Sequence, residues 1–258
     1  MIWATWRQHR TQTLAGIALL AAMIALMLAA HPYGFDVSGG PNVLGTWVVT
    51  MMGALPIITA VFVGAPLLSR DIERHTHRLV WTQSMSRAHW VVVKLLLVFT
   101  PVVAAASVVG LGAMLLLLHD PSVDPWDWFD LQGPVFVAYT AFGLGLGTAA
   151  GAVIGRPYVA MALTPVLFTA ARWLVATALR PRYLEPVQAA WTARPGDFAL
   201  PPGVSSPWVL EIDWNRHLVT YHPFEHYWLL HGIEAAVFFA LAALLVGLTF
   251  YWVTRRVR

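Results

Sequence analysis

Two groups of residues in this 258-residue sequence have types and spacings that chemistry could use. The first is His222-Pro-Phe-Glu225-His226, an H-x-x-E-H pattern in which two histidines could bind zinc while the glutamate activates a water. Such a site needs a further acid ligand, and Glu234 is the only carboxylate among the 32 residues that follow. With ten histidines in the chain the pattern arises readily by chance, so a structural or interfacial histidine cluster is the better reading. The second group is Arg70, Arg74 and Arg78. On a helix from Ser69 to about Trp81 they share one face, and Ile72, Thr76, Leu79 and Gln83 cluster on another. Like charges at four-residue spacing repel by roughly a few tenths of a kcal/mol per pair, which makes an outside partner attractive. Ser84–Ser86 then breaks the helix, and Ser86 is placed to cap the next one.

Other reactive constellations are missing. There is no cysteine, which rules out disulfides, thiolate metal sites and a cysteine nucleophile. No G-x-x-x-x-G-K-[ST] and no G-x-S-x-G occurs, and no pair of aspartates sits inside an apolar run. Gly147, Gly151 and Gly155 follow no strand and precede no Lys-Ser/Thr, so they do not read as a phosphate loop. Their four-residue spacing puts them on one helix face, where a second helix backbone can approach closely. That partner could belong to this chain or to a second copy. Arg172 and Glu234 each lie in apolar surroundings, and an unpaired charge in hydrocarbon costs about 3 kcal/mol. They fall at similar depth, so they are expected to pair or share a polar cavity, the alternative being that each snorkels to the headgroups.

The elements that must position these residues are apolar helices. The chain is 58% hydrophobic and 11% charged, with a mean hydropathy of +0.64, whereas soluble domains carry about a quarter charged residues. Several runs exceed the roughly 18 apolar residues a spanning helix needs. The pattern predicts an all-α membrane protein of one transmembrane domain over 1–258 with six spans, at about 14–30, 46–68, 92–118, 135–154, 158–179 and 230–253. Pro56, Pro101 and Pro165 fall inside spans, where they kink helices. Residues 1–13 place Trp3, Trp6, Arg7 and Arg10 as an interfacial helix leading into an uncleaved first span. Residues 180–229, with seven prolines and nine aromatics, are expected to form a compact helical cap against the membrane. The stretch 216–235 is expected to form a helix lying in the interface before it turns into the sixth span.

Charge orients the bundle. With both ends in the cytoplasm, the inner pieces sum to +9 and the outer pieces to −6, while Arg172 and Glu234 cancel. The reverse topology would reverse the bias, so both termini and the basic 69–91 loop are expected inside. The pI near 9.5 therefore reflects a membrane-side asymmetry and points away from nucleic acid.

The 69–94 stretch also resembles the intracellular loop of type-two ABC exporter permeases. Their pattern of Arg-acid, Glu, Thr, Leu, Ser/Thr-Arg and a Lys entering the third span is matched by Arg70-Asp71, Glu73, Thr76, Leu79, Ser86-Arg87 and Lys94. The opening MIWATWRQHR and closing YHPFEHYWLLHGIEAAVF resemble a branch common in actinobacteria, with His75 departing from the usual glycine before threonine. The resemblance implies a permease subunit in a bacterial plasma membrane, exporting a lipophilic or amphipathic substrate. It further implies a cytoplasmic coupling helix carrying Arg70, Asp71, Glu73, Arg74, Thr76, Arg78, Leu79, Ser86 and Arg87, docked on a separate ATP-binding subunit. Two such subunits would serve two paired permeases, homo- or heterodimeric, and would hold the ATP and Mg; this chain would bind no cofactor and have no ATPase activity of its own. Two rival readings are a membrane-embedded metal-dependent hydrolase using the outer histidines, and a non-transporting anchor or immunity protein.

Overall fold

The computed structural model describes residues 22, 25, 26, 29, 43–74, 86–117, 124–190, 192–194, 197–199, 204 and 206–256. Among these, five helices are long and apolar enough to cross a membrane: Gly45–Glu73, Arg87–Leu115, Pro125–Ile154, Pro157–Arg182 and Phe224–Arg255. They correspond to the second through sixth expected spans. Of the first, only residues 22, 25, 26 and 29 are described; all are helical, and Leu26 packs against the core cluster that contains Val48 and Met52. The expected interfacial helix with Trp3, Trp6, Arg7 and Arg10 lies outside the described residues, as do Thr76, Arg78 and Leu79.

The second span is built from three pieces: α1 (Val43–Thr59), a π turn (Ala60–Gly64) and α2 (Ala65–Glu73). The π turn begins one helical turn after Pro56, whose ring cannot donate to the helix ladder. The third span is α3 (Arg87–Leu117), the fourth α4 (Gly133–Ile154), the fifth α5 (Pro157–Leu174). A second π turn (Val175–Leu179) and a short 3₁₀ turn (Arg180–Arg182) continue the fifth span, and α6 (Tyr227–Arg255) forms the last.

The bundle is organised around α4. About 78% of its most apolar stretch is buried, against 17–33% for the other spans. It starts at Gly133 with Pro134 in its first turn, and it stops at Gly155, which takes a left-handed φ of 68° and bonds back to the Gly151 carbonyl at 2.9 Å. Glycine accepts that conformation without a Cβ clash. Arg156 is extended and Pro157 opens α5, so the chain makes a tight turn at 155–157.

One face of α4 has no side chains to hold the second span away. A Cβ on Gly143 would lie 2.8 Å from the Pro56 carbonyl oxygen. On Gly147 it would clash with the Ala60 oxygen and the Ala65 nitrogen, and on Gly151 with the Ala65 oxygen. Gly64 answers from the other side, where a Cβ would be 2.9 Å from the Leu144 oxygen. Gly155 continues the row against Ile72. The partner of the glycine face is thus a helix of the same chain, and it meets α4 through the π turn and the residue after it.

The described residues between the fifth and sixth spans form mainly strands in place of the expected helical cap, which corrects the sequence expectation. They form an antiparallel sheet of β1 (Val187–Ala190), β5 (Leu218–His222) and β4 (Trp208–Asp213), in that order, beside a hairpin of β2 (Thr192–Arg194) and β3 (Asp197–Ala199). Val219 pairs with Ala189 and Ile212, and Tyr221 with Val187 and Val209. Val219 and Tyr221 are buried and alternate with half-buried Leu218 and Thr220, a period of two that no helix can satisfy. Prolines throughout 180–229 also remove helix donors. The expected interfacial helix over 216–235 is helical only in its last part: β5 gives way to a 3₁₀ turn (Phe224–His226), and Tyr227 already begins the sixth span.

The glycine contacts give a direct test. Gly151→Ala should lower the apparent melting temperature of the detergent-solubilised protein, with an overpacking cost of about 1–3 kcal/mol. Gly247→Ala, where a Cβ meets nothing within 4 Å, should leave it unchanged or raised. Circular dichroism melts of the two variants make the comparison.

Candidate functional site

At one end of the bundle gather the basic residues of three helix ends: Arg70 and Arg74 at α2, Arg156 after α4, and Arg255 and Arg256 at α6. They are drawn together because Leu67 and Leu68 pack with Trp90, Val91 and Leu95 of α3, Ala152 of α4 and Val253 of α6. In α2 this packing buries Leu67, Leu68 and Ser69 and leaves Arg70, Glu73 and Arg74 exposed. Three- and four-residue spacing places those three on a single face. Asp71 turns the other way, toward Lys94. The second helix of this end is capped as its sequence suggests, since Ser86 Oγ accepts the His89 N–H at 3.2 Å and the Ser86 carbonyl accepts that of Trp90. Arg87 is the first residue of α3. The described helix of the polar stretch ends at Glu73, so the expected continuation to about Trp81 lies outside the described residues.

The other end carries a buried cluster of charges. Arg172 and Glu234 both belong to it, yet they do not touch. Arg172 instead donates to Asp130 Oδ2, from above the Tyr139 ring at 4.7 Å. Arg180 fills the space between them: its Nε and Nη2 donate to the two oxygens of Glu234 at 2.6 Å each, and Nη2 also reaches Asp130 Oδ1 at 2.5 Å. Its guanidinium lies 4.3 Å from the Phe129 ring centre. Tyr139 donates its hydroxyl toward Asp130 at 3.0 Å and is also bonded to Glu234. Two arginines and two carboxylates cancel, and Glu234 is fully buried. Charges held in such a place survive only when they are paired and hydrogen-bonded.

Asp130, Tyr139 and Arg180 are the members that sequence reasoning missed. In an uninterrupted α-helix, residues eight apart are about 80° out of line. The wider π turn at Val175–Leu179 takes up that difference and aims Arg180 inward beside Arg172. Nothing in the string VATALR signals this. Asp130 was more legible: it is the one aspartate of its acid-rich loop placed between Phe129 and Leu131, both buried.

The sheet is fastened to the same region. Trp126 donates its indole N–H to the Ser206 carbonyl at 2.7 Å, stacks its ring on Phe129, lies tilted against Trp208 and meets Tyr227 edge-on. Gln132 reaches the Tyr227 hydroxyl at 2.5 Å.

Of His222, Glu225 and His226, only the two histidines face each other. His222 Nε2 donates to the Pro181 carbonyl at 3.2 Å, and its Nδ1 faces His226 Nδ1 at 3.3 Å, while Glu225 is exposed. Among the described residues no group of three or more histidines and acids is placed to hold a metal ion. Burial holds the His222 pKa below its ordinary value, and nearby His226 lowers it further despite the Pro181 carbonyl. Close by, burial and Glu234 push the Tyr183 phenol up to about 12.

Two measurements follow. Removing either Arg180 or Glu234 strands a buried charge, and Arg180→Ala or Glu234→Ala should each destabilise by about 3–5 kcal/mol. The double variant should be strongly non-additive, with the Arg172–Glu234 pair coupled more weakly because Asp130 and Arg180 mediate it. Unfolding free energies in a double-mutant cycle decide this. For the sheet, a histidine kept neutral by folding stabilises above its unfolded pKa of about 6.5, and that stability is lost progressively as pH falls below this value and through the lowered folded pKa. Tryptophan emission should report it, because Trp208 stacks on His222 at 5.5 Å, and His222→Phe should remove the pH dependence.

Comparison with known proteins places residues 38–180, more than half the chain, in the family model described as ABC-2 membrane transporter related. No curated protein matches, and no solved structure matches.

Proposed function

The chain belongs to the ABC-2 membrane transporter related family, and from that premise we propose that it is the permease subunit of an exporter driven by ATP hydrolysed on a separate subunit. The observation that carries the reading is the family match, which spans the second to fifth membrane helices and the basic loop between the second and third. Family membership implies an ATP-binding partner. The exposed face of Arg70, Glu73 and Arg74 is where we place its docking, with Thr76, Arg78, Leu79, Ser86 and Arg87 completing the surface.

On this reading both termini and the basic bundle end lie in the cytoplasm of a bacterial cell, and the sheet caps the outer side. The positive-inside bias supports that orientation. Two ATP-binding subunits hold ATP and Mg, and the present chain contributes no ATPase chemistry. Two permeases pair, and closure of the ATP-binding subunits moves the polar loop and, through it, the spans. A lipophilic or amphipathic substrate suits the apolar helix surfaces. The hydrolase reading finds little support in the histidines, since His222 is committed to the Pro181 carbonyl and Glu225 points to solvent.

Co-expression with candidate ATP-binding subunits tests the proposal. The expected result is a stable complex whose ATPase activity depends on the permease. Charge reversal at Arg74 and Arg78 should reduce that dependence at least several-fold. A permease that recruits no ATP-binding subunit would favour the anchor reading, and unchanged coupling in the reversed variant would overturn the docking face.

A further inference from the structure

Asp71 stands in the middle of the polar residues expected to dock the partner, yet its carboxylate is directed into the bundle. Lys94, the chain's single lysine, donates one proton to Asp71 Oδ2 and another to the Leu67 carbonyl at 3.2 Å. Its ammonium also lies 5.1 Å from the Trp90 ring centre. The lysine side chain is 15% exposed and the aspartate side chain 29%. Lys94 sits seven residues into α3, about 10 Å along it, so the contact is made above the loop and not across it.

The position of the two anchors on the second span is informative. Leu67 and Asp71 are four residues apart in α2, on one side of the helix, and both are held by the same ammonium. Arg70, Glu73 and Arg74 occupy the exposed side of the same short helix. A force applied to the exposed side therefore meets an anchor to α3 on the side away from solvent. An ammonium suits this role, because its three donors point in separate directions and can hold a carboxylate and a carbonyl together. Next to this contact, Ser69 packs against Gly151 and Ile72 against Gly155, so α2 is held by α4 on one flank and α3 on another.

We propose that Asp71 and Lys94 are positioning residues that lock α2 to α3, so that displacement of the exposed Arg70–Glu73–Arg74 face moves the second and third spans as one body. The inference rests on the transporter reading for its purpose, although the lock itself does not. Asp71 is thereby taken out of the docking surface and placed in the transmission path.

The absence of cysteine makes a labelling experiment clean. Spin labels at Arg74→Cys and at Val92→Cys, an exposed position on α3, report the α2–α3 distance in the full chain in nanodiscs. The expected result is one narrow distance distribution that at least doubles in width in Lys94→Met and in Asp71→Asn. The charge exchange Asp71→Lys with Lys94→Asp should restore most of it. Distributions that stay narrow in both neutral variants overturn the lock, whatever the partner does. In the complex with an ATP-binding subunit, the unlabelled Lys94→Met variant, with Arg74 intact, should keep the subunit bound while losing at least half of the permease-dependent ATPase activity. If Asp71→Asn releases the subunit and Lys94→Met does not, Asp71 is a docking residue and the proposal fails. A wild-type chain that binds no such subunit rejects the transporter reading, while the widths measured on the chain alone still decide the lock.

Discussion

The fold depends on a contact between two backbones. Gly147 and Gly151 let the π turn and the first residue of α2 come so close to α4 that any side chain would collide with a carbonyl oxygen. In a bilayer there is no hydrophobic gain from bringing two apolar helices together, since lipid is as apolar as leucine. Close packing must supply the attraction, and it grows as backbones approach. The π turn is part of the same solution. It sets the carbonyls of Ala60 and Ala65 opposite the two glycines, and Thr59 returns its hydroxyl to the Pro56 carbonyl at 2.9 Å, so the broken ladder is partly repaired within the helix.

The far end of α4 is held by a different force. Asp130, at the threshold of α4, and Tyr139, two turns inside it, are joined to the fifth span by Arg172 and Arg180 and to the sixth by Glu234. An exposed ion pair contributes little, but removing one partner from this cluster leaves a charge where water is scarce. The cluster therefore penalises any separation of the fourth, fifth and sixth spans near the sheet. Dispersion governs one end of α4 and electrostatics the other, and both are local to a single central helix.

Much of this was legible in the sequence for a physical reason. Long apolar runs, turn glycines and prolines are signals of single elements, so the second to sixth spans, the Gly155–Pro157 turn and the Ser86 cap could be placed without tertiary information. The glycine row announced a close approach but not its partner, because spacing defines a face and not what meets it. Arg172 and Glu234 were recognisable as expensive charges. Their connection was not, since it runs through Arg180, which only a π turn rotates inward, and through Asp130, which the loop count assigned to solvent. The sheet was missed because its short strands lie among prolines and aromatics, and alternation over five residues is easily taken for a helix face.

The two π turns fall at the places where the spans depart from simple rods, and each serves a contact that an α-helix would misalign. The turn at Ala60–Gly64 lies between α1, which packs with the sheet end of α4, and α2, which carries the exposed charges. The turn at Val175–Leu179 lies between the body of the fifth span and Arg180. Such turns lose the regular ladder and are easier to rewind than the helices around them. If the second span transmits movement from the polar loop, the change is expected to be taken up at Ala60–Gly64, since Lys94 holds α2 below that turn and the Val48–Met52 packing holds α1 above it. No side chains interlock across the glycine face at Gly147 and Gly151, but α2 must still unpack Leu67 and Leu68 from Ala152 to shift along α4, just as the charged end of α4 must lose ion pairs before it moves.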